Sequence, residues 1–245
     1  MRLEGKTAIV TGASSGIGAA IVRALRAEGA RVAGGARRVE RVDADVALAL
    51  DVTDRDSAER FVAAAVEQLG AVDVLVNNAG LALGREPFDE STEADEEVVL
   101  ETNVRGLVRM TRLVLPHLRD GGHIVNMGSI AGKVAYPNGA LYVASKFAVH
   151  GFTQALREDL LGRPIRLTTV APGLVETDFS KVRFRGDETR ADAVYADVAL
   201  GGPVQAEDVA DCVLFALTRP ANVNIDEIVI TALAQSSGAR ILREQ

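Results

Sequence analysis

The chain of 245 residues carries 27 basic and 34 acidic side chains, a formal net charge of −7, and 48% hydrophobic residues. That length and apolar content suit one large α/β domain, and the acidic balance argues against a nucleic acid or an anionic membrane as main partner. A single cysteine excludes an internal disulfide, and three histidines lack the spacing to Cys or carboxylates that a metal cage needs, so no metal site is expected.

MRLEGKTAIV runs from charge directly into a short apolar strand without a signal-peptide core, and no apolar run approaches the roughly 20 residues needed to span a bilayer. The expectation is a cytoplasmic protein with no membrane partner. The first predicted strand, Thr7–Val10, feeds TGASSGIG at 11–18 and then a helix over Gly16–Glu28. Glycines at 12, 16 and 18 permit a tight turn and a close backbone approach to a pyrophosphate. The helix start offers free N–H groups and the positive end of its dipole. Such glycines also close ordinary turns, but in the first β-turn-α unit of a parallel α/β chain they indicate a dinucleotide cradle, drawing on Gly12, Ser14, Ser15, Gly16, Ile17 and Gly18.

The second strand, Arg31–Gly34, is followed by Ala36, Arg37 and Arg38. An acidic residue there would bind ribose hydroxyls and repel a 2′-phosphate. Two guanidiniums instead suit a dianionic phosphate, so NADP(H) is the expected cofactor; two solvated surface arginines are the alternative. Residues 37–45 leave little room for a full helix before the third strand, Ala47–Leu50. A helix over Arg55–Leu69 and a strand over Val72–Asn77 come next, the strand ending in NNAG at 77–80. A long helix is predicted over Ala94–Leu118, with Asn103 inside it although asparagine is a poor helix former. An inward amide there would hold a proton-relaying water or be a satisfied core polar group.

Strand His123–Met127 is followed by Ser129, whose hydroxyl is placed to bond a substrate oxygen. The helix predicted over Tyr142–Leu161 opens with YVASK, setting Tyr142 and Lys146 one turn apart on the same face. A free phenol titrates near 10, and bringing it to neutral pH requires roughly 4 kcal/mol of differential interaction, which a shielded cation supplies and an exposed one does not. Taken alone, Tyr-x-x-x-Lys is a common surface pair. Next come a strand over Arg166–Val170 and a polar insertion over 179–203 carrying Lys181, Arg183, Arg185 and Arg190. A lid over the site is favoured there against a disordered loop. A helix over Ala206–Leu217, with Cys212 read as core, and a strand over Glu227–Thr231 complete the pattern. Near-continuous apolar strands alternating with helices predict a single-domain Rossmann-type doubly wound sheet of about seven parallel strands with helices on both faces.

Together TGASSGIG, Asp51, NNAG, Asn103, Ser129, YVASK, and Pro172-Gly173 with Thr177 resemble the short-chain dehydrogenase/reductase family over essentially the full length. The resemblance implies that Tyr142 is the acid/base, that Lys146 lowers its pKa and binds the nicotinamide ribose, that Ser129 positions the reacting oxygen, and that Asn103 supports the proton relay. It places Asp51 and Val52 by the adenine, and Asn78, Ala79 and Gly80 along the cofactor. Pro172, Gly173, Val175 and Thr177 fall at the carboxamide end and the pyrophosphate. It also implies a homodimer or homotetramer formed through the two long helices.

More narrowly, FSKVRFRGDETRADAVY and PANVNIDEIVI resemble the NADP-dependent 3-hydroxy acid (serine-type) dehydrogenases of that family. Arg183 and Arg185 are then candidates to hold a substrate carboxylate, beside Ser129 and Tyr142 at the reacting oxygen, or they form a solvated loop face. The compressed 37–45 connection departs from relatives and is expected to open the adenosine pocket. The function expected is NADP(H)-dependent interconversion of a hydroxyl and a carbonyl on a small 3-hydroxy acid. Its alternatives are a ketone or aldehyde reductase of secondary metabolism and a non-catalytic NADP sensor.

Overall fold

A computed structural model of the chain describes residues 1–244. Seven strands, β1 Thr7–Thr11, β2 Arg31–Ala36, β3 Val46–Ala49, β4 Val72–Asn77, β5 Leu118–Met127, β6 Arg166–Pro172 and β7 Glu227–Ile230, form one sheet. Its order is β3-β2-β1-β4-β5-β6-β7 and every pairing is parallel. β1 and β4 are buried along their whole length, which is why they read as unbroken apolar runs rather than as alternating ones. One face packs Ile21, Leu25, Val209 and Val213 from α1 (Gly16–Ala27) and α8 (Ala206–Leu217) onto Val10 and Val76. The other packs Phe61, Ala65, Met110 and Leu156 from α2 (Arg55–Leu69), α4 (Leu107–Val114) and α5 (Ala140–Asp159) onto Ile9, Leu75 and Ile124. This is the Rossmann-type single-domain sheet expected. Chain direction across the sheet reverses between β1 and β4, and such switch points leave a crevice at the strands' carboxyl ends.

Two expectations about elements change. The helix predicted over Ala94–Leu118 is broken into α3 (Glu93–Leu100), a π-helical turn (Glu101–Gly106), α4 and a 3-10 turn (Leu115–His117). Leu118 belongs to β5, where it pairs with Val72; the register then slips before His123 pairs with Val74. Pro116 lacks the N–H needed to continue the helix. The wide turn turns Asn103 inward and lets Gly106 lie against Val52, where a Cβ would come within 2.7 Å of the valine side chain.

The insertion 179–203 contains two short helices, α6 (Phe179–Arg183) and α7 (Glu188–Tyr195). The compressed connection after β2 holds only a 3-10 turn, Val39–Arg41. It folds back tightly: a Cβ on Gly34 would lie 2.6 Å from Val42 and 3.1 Å from Ala44.

Candidate active site

A cleft of about 440 Å³ opens at the carboxyl ends of β1, β2, β4, β5 and β6. At one end it is lined by backbone. Gly12 and Gly16 have φ of 67° and 52°, a region L side chains rarely adopt. A Cβ on Gly18 would sit 2.1 Å from the Gly12 carbonyl oxygen, and one on Gly12 would sit 2.9 Å from Asn78 and Ala79. Asn78 braces this turn, its Nδ2 donating to the Thr11 and Gly12 carbonyls at 2.9 and 3.2 Å. Ser15, the N-cap of α1, makes no side-chain cap bond, and the first turn of α1 has no acidic residue. The first-turn amides therefore face the cleft with no internal anion to satisfy them, the condition for taking a phosphate.

Arg37 and Arg38 stand exposed at the end of β2, Arg38 reaching Ser15 Oγ at 3.3 Å. A close-approach cradle, an uncapped helix start and two guanidiniums fit a dinucleotide that carries a 2′-phosphate. Asp51 also lines this end, its Oδ1 accepting from the Thr53 N–H and hydroxyl at 2.9 and 2.7 Å.

At the middle of the cleft β5 and α5 bring Ser129, Tyr142 and Lys146 together. α5 begins at Ala140, two residues before the tyrosine, so Tyr142 lies in its first turn. Lys146 is buried, its Nζ donating to the Met127 carbonyl at 2.8 Å and lying 5.7 Å from the centre of the Tyr142 ring. Burial pushes the lysine down to about 8. Tyr142 is half-buried at the cleft wall, and loss of water pushes its phenol up to about 12; Ser129 and Arg183 pull it down and Tyr136 pushes it further up. In the protein alone, desolvation therefore outweighs any help from Lys146, and the phenol is held protonated. The Ser129 hydroxyl accepts from the Ala131 N–H at 3.1 Å and donates to the Pro172 carbonyl at 3.3 Å, a long bond that a better-placed acceptor would replace.

Every predicted catalytic, cofactor-binding and substrate residue lines this cleft except Asn103 and Arg185. Asn103 lies behind the wall, where a Cβ on Gly80 would be 3.2 Å from its Oδ1 and 3.7 Å from Lys146 Nζ. Its Oδ1 accepts from the Leu81 N–H at 2.8 Å, and its two amide protons go to the Leu81 carbonyl at 2.7 Å and Ser145 Oγ at 3.0 Å. No amide proton is left to hold a relay water. The Asn103 Oδ1 keeps a second lone pair, so the amide is a satisfied core group that can still accept from a water. Ser145 in turn donates to the Tyr142 carbonyl at 2.7 Å, so Asn103 holds the turn of α5 that carries Tyr142 and Lys146.

Arg185 also departs from expectation. Its guanidinium pairs with Asp95 on α3 at 2.6 Å, with a backbone φ of 55° turning it away from the cleft. Arg183 faces inward, 6.0 Å from the Tyr142 ring centre and 5.7 Å from that of Tyr136.

Tyr136, Phe179, Arg85 and Gln235 also line the cleft, and sequence reasoning misses all four. A Cβ on Gly139 or Gly238 would come within 2.3 or 2.7 Å of the Tyr136 ring, so the ring is held between two glycines. The flanking Gly139 is the only sequence signal for it. Phe179 meets Tyr142 edge-on, the ring centres 5.6 Å apart.

The short chain dehydrogenase family profile matches residues 6–188. The chain is 39% identical over 263 residues to the NADP-dependent 3-hydroxy acid dehydrogenase of Schizosaccharomyces pombe, covering 100% of this chain and 99% of that protein. It is 40% identical over 248 residues to the enzyme of the same name from Escherichia coli strain K12, covering 96% and 99%. The closed form of a serine dehydrogenase complexed with NADP+ superimposes with a TM-score of 0.90 at 38% identity, over 98% of this chain and 100% of that one. A short chain dehydrogenase of Burkholderia cenocepacia in complex with NADP gives 0.81 at 36% identity, over 94% and 98%. A cradle at one end of the cleft, a Tyr-Lys-Ser group at its centre and these likenesses lead to one statement: the chain belongs to the short-chain dehydrogenase family.

Proposed function

We propose that the chain is an NADP(H)-dependent oxidoreductase that interconverts a hydroxyl and a carbonyl on a small 3-hydroxy acid. One observation carries this reading: Ser129, Tyr142, Lys146 and Arg183 face the same cleft whose other end is the glycine cradle flanked by Arg37 and Arg38. The cofactor, when bound, supplies or accepts the hydride. Gly12, Ser14, Ser15, Gly16, Ile17 and Gly18 hold its pyrophosphate, Arg37 and Arg38 the 2′-phosphate, and Asp51 and Val52 flank the adenine. Asn78, Ala79, Gly80, Pro172, Gly173, Val175 and Thr177 complete its path.

In the oxidative direction Tyr142 takes the proton of the substrate hydroxyl, and in the reductive direction it gives that proton to the carbonyl oxygen. A phenol pushed up to about 12 holds its proton, and a positive charge brought into the cleft lowers it toward the range where it both gives and takes a proton. Ser129 exchanges its long bond to Pro172 for one to the reacting oxygen. Lys146 keeps one proton on Met127 and has two to offer to a ribose hydroxyl and to the field at Tyr142. Asn103 is a positioning residue.

A carboxylate one carbon removed from the reacting carbon meets Arg183, whose terminal nitrogens are uncommitted because only its Nε is used, on the Gly84 carbonyl at 2.9 Å. Residues 179–203 act as a lid. Their seat on the segment after β4 and on α3, through Arg183 with Gly84, Arg185 with Asp95 and Arg190 with Glu86, supports that role. No described helix is long and apolar enough to cross a membrane. We place the enzyme in the cytoplasm as a homodimer or homotetramer; exposed Val98 on α3 and Phe147 on α5 support assembly through those helices.

The test is turnover of serine, 3-hydroxybutyrate and 2-butanol with NADP+ and with NAD+. The acids should be preferred to the neutral alcohol, NADP+ to NAD+, and Arg183→Ala should remove the first preference by raising KM. Equal use of 2-butanol by the unaltered enzyme would overturn the hydroxy-acid reading.

A further inference from the structure

The cations at the substrate end fall into two sets. Lys181, Arg185 and Arg190 each have a carboxylate, from Glu188 at 3.6 Å, Asp95 at 2.6 Å and Glu86 at 3.3 Å. Arg183, Arg85 and Arg243 line the cleft, and among the described residues none has a carboxylate within 4.0 Å, but the Arg243 guanidinium is spent on the Ala196 and Val194 carbonyls. The acid nearest in sequence to Arg85 is already committed. Glu86 takes the backbone N–H of Arg85 at 2.7 Å and the guanidinium of Arg190 at 3.3 Å. The Arg85 guanidinium itself donates to no described residue; it lies 5.9 Å from the centre of the Tyr136 ring.

Tyr136 orders the two arginines. Arg183 lies near both the Tyr142 and the Tyr136 rings, whereas Arg85 lies near Tyr136 alone. Outward from the reacting phenol the sequence of groups is therefore Tyr142, Arg183, Tyr136, Arg85. The Tyr136 ring lies against Gly139 and Gly238. The segment bearing Arg85 is tied down by the Leu81–Asn103 bonds and by Gly84, whose N–H donates to the Arg183 carbonyl at 2.9 Å. Two unneutralised guanidiniums lining one cleft lower the cost of bringing in a second negative charge.

We propose that Arg85 is a further specificity-determining residue, and that the preferred substrate is a 3-hydroxy acid bearing a second anionic group: Arg183 takes one carboxylate and Arg85 the second anion, on the side of Tyr136 away from Tyr142. This rests on the hydroxy-acid reading above. It predicts more than that reading does, because a simple 3-hydroxy acid leaves Arg85 without a partner.

Steady-state kinetics of the full chain with NADP+ decide it, using 3-hydroxyglutarate as the diacid, 3-hydroxybutyrate as the monoacid and 2-butanol as the neutral alcohol. Glutarate and butyrate serve as non-reacting inhibitors. The unaltered enzyme should favour the diacid over the monoacid about tenfold in kcat/KM, through KM, as one added charge-assisted contact warrants. Arg85→Met should remove that ratio and weaken glutarate inhibition by a similar factor, and Arg85→Lys should restore part of both. If Arg85→Met and Arg85→Gln lower both acids alike, Arg85 merely supports Tyr136 and the proposal fails. It fails too if the ratio does not change, although the hydroxy-acid reading survives as long as both acids outrun 2-butanol. If 2-butanol is used as well as either acid, both readings fall together.

Discussion

Where β1 meets α1 the cleft wall is main chain: no Cβ fits on Gly12 or Gly18, and the recognising groups are the first amides of a helix. Where α6 meets the segment after β4 and the connection between β5 and α5, the wall is made of side chains on a five-residue helix and two loops, with Arg183, Tyr136 and Arg85 among its polar groups. The first end is fixed by backbone geometry and admits one class of ligand. The second can be rewritten one side chain at a time without disturbing the sheet. On the function proposed above, the chemistry is set where the two ends join, at Tyr142, and the substrate range at the second.

The largest expected effect comes from breaking that join. Tyr142→Phe keeps the ring that meets Phe179 and loses only the hydroxyl. kcat/KM should fall about 10³-fold, within the usual contribution of a positioned proton donor. NADPH affinity, read by fluorescence, should hardly move. A variant that keeps a tenth of its activity would show that the proton travels by another route.

A smaller effect separates the two ends at the cofactor side. Arg37→Ala should weaken NADPH about tenfold and leave NADH nearly unchanged, because only the former carries the dianion that a guanidinium grips. Equal weakening of both would mean that Arg37 and Arg38, exposed as they are, contribute only a general field.

The same contrast explains which parts of the molecule are legible in the amino-acid sequence. The strands and their order of appearance are legible because β1 and β4 are buried on both faces and therefore apolar throughout. The cradle is legible because close backbone approach demands glycine, and glycine is visible in a string of letters. The substrate end is not. Arg183 and Arg185 stand two residues apart and look alike. Their separation depends on where the helix of residues 179–183 ends, on a left-handed turn at Arg185, and on Asp95 lying ninety positions earlier. Arg85 has no local signal at all, since its meaning comes from Tyr136, about fifty residues on. Asn103 stands out as a poor helix former, but the π-helical turn that aims it at Leu81 and Ser145 depends on tertiary packing.

The smallest prediction lies outside both ends and tells site titration from fold titration. His123, on the strand that leads to Ser129, is buried with Nε2 2.8 Å from Thr168 Oγ1. The Thr168 hydroxyl donates to the Ile225 carbonyl at 2.6 Å, so Nε2 must be the donor in the first bond, and buried Nδ1 is left without a partner. Burial, aided by the charge of Arg166, pushes this imidazole down to about 3 from an ordinary 6.5. Between those two values the unfolded chain binds the proton that the folded chain refuses. Stability contributed by the neutral ring is thus fully present above pH 6.5 and declines as the pH falls toward 3. Urea midpoints at pH 7.5 and 5.0 should drop further for the unaltered protein than for His123→Leu, whose fold has no such proton to exclude. Acid loss of activity in this window should then follow the urea midpoint and shrink in His123→Leu. If it follows instead a titration that the variant leaves untouched, the acid limit belongs to the cleft and the buried imidazole has no part in it.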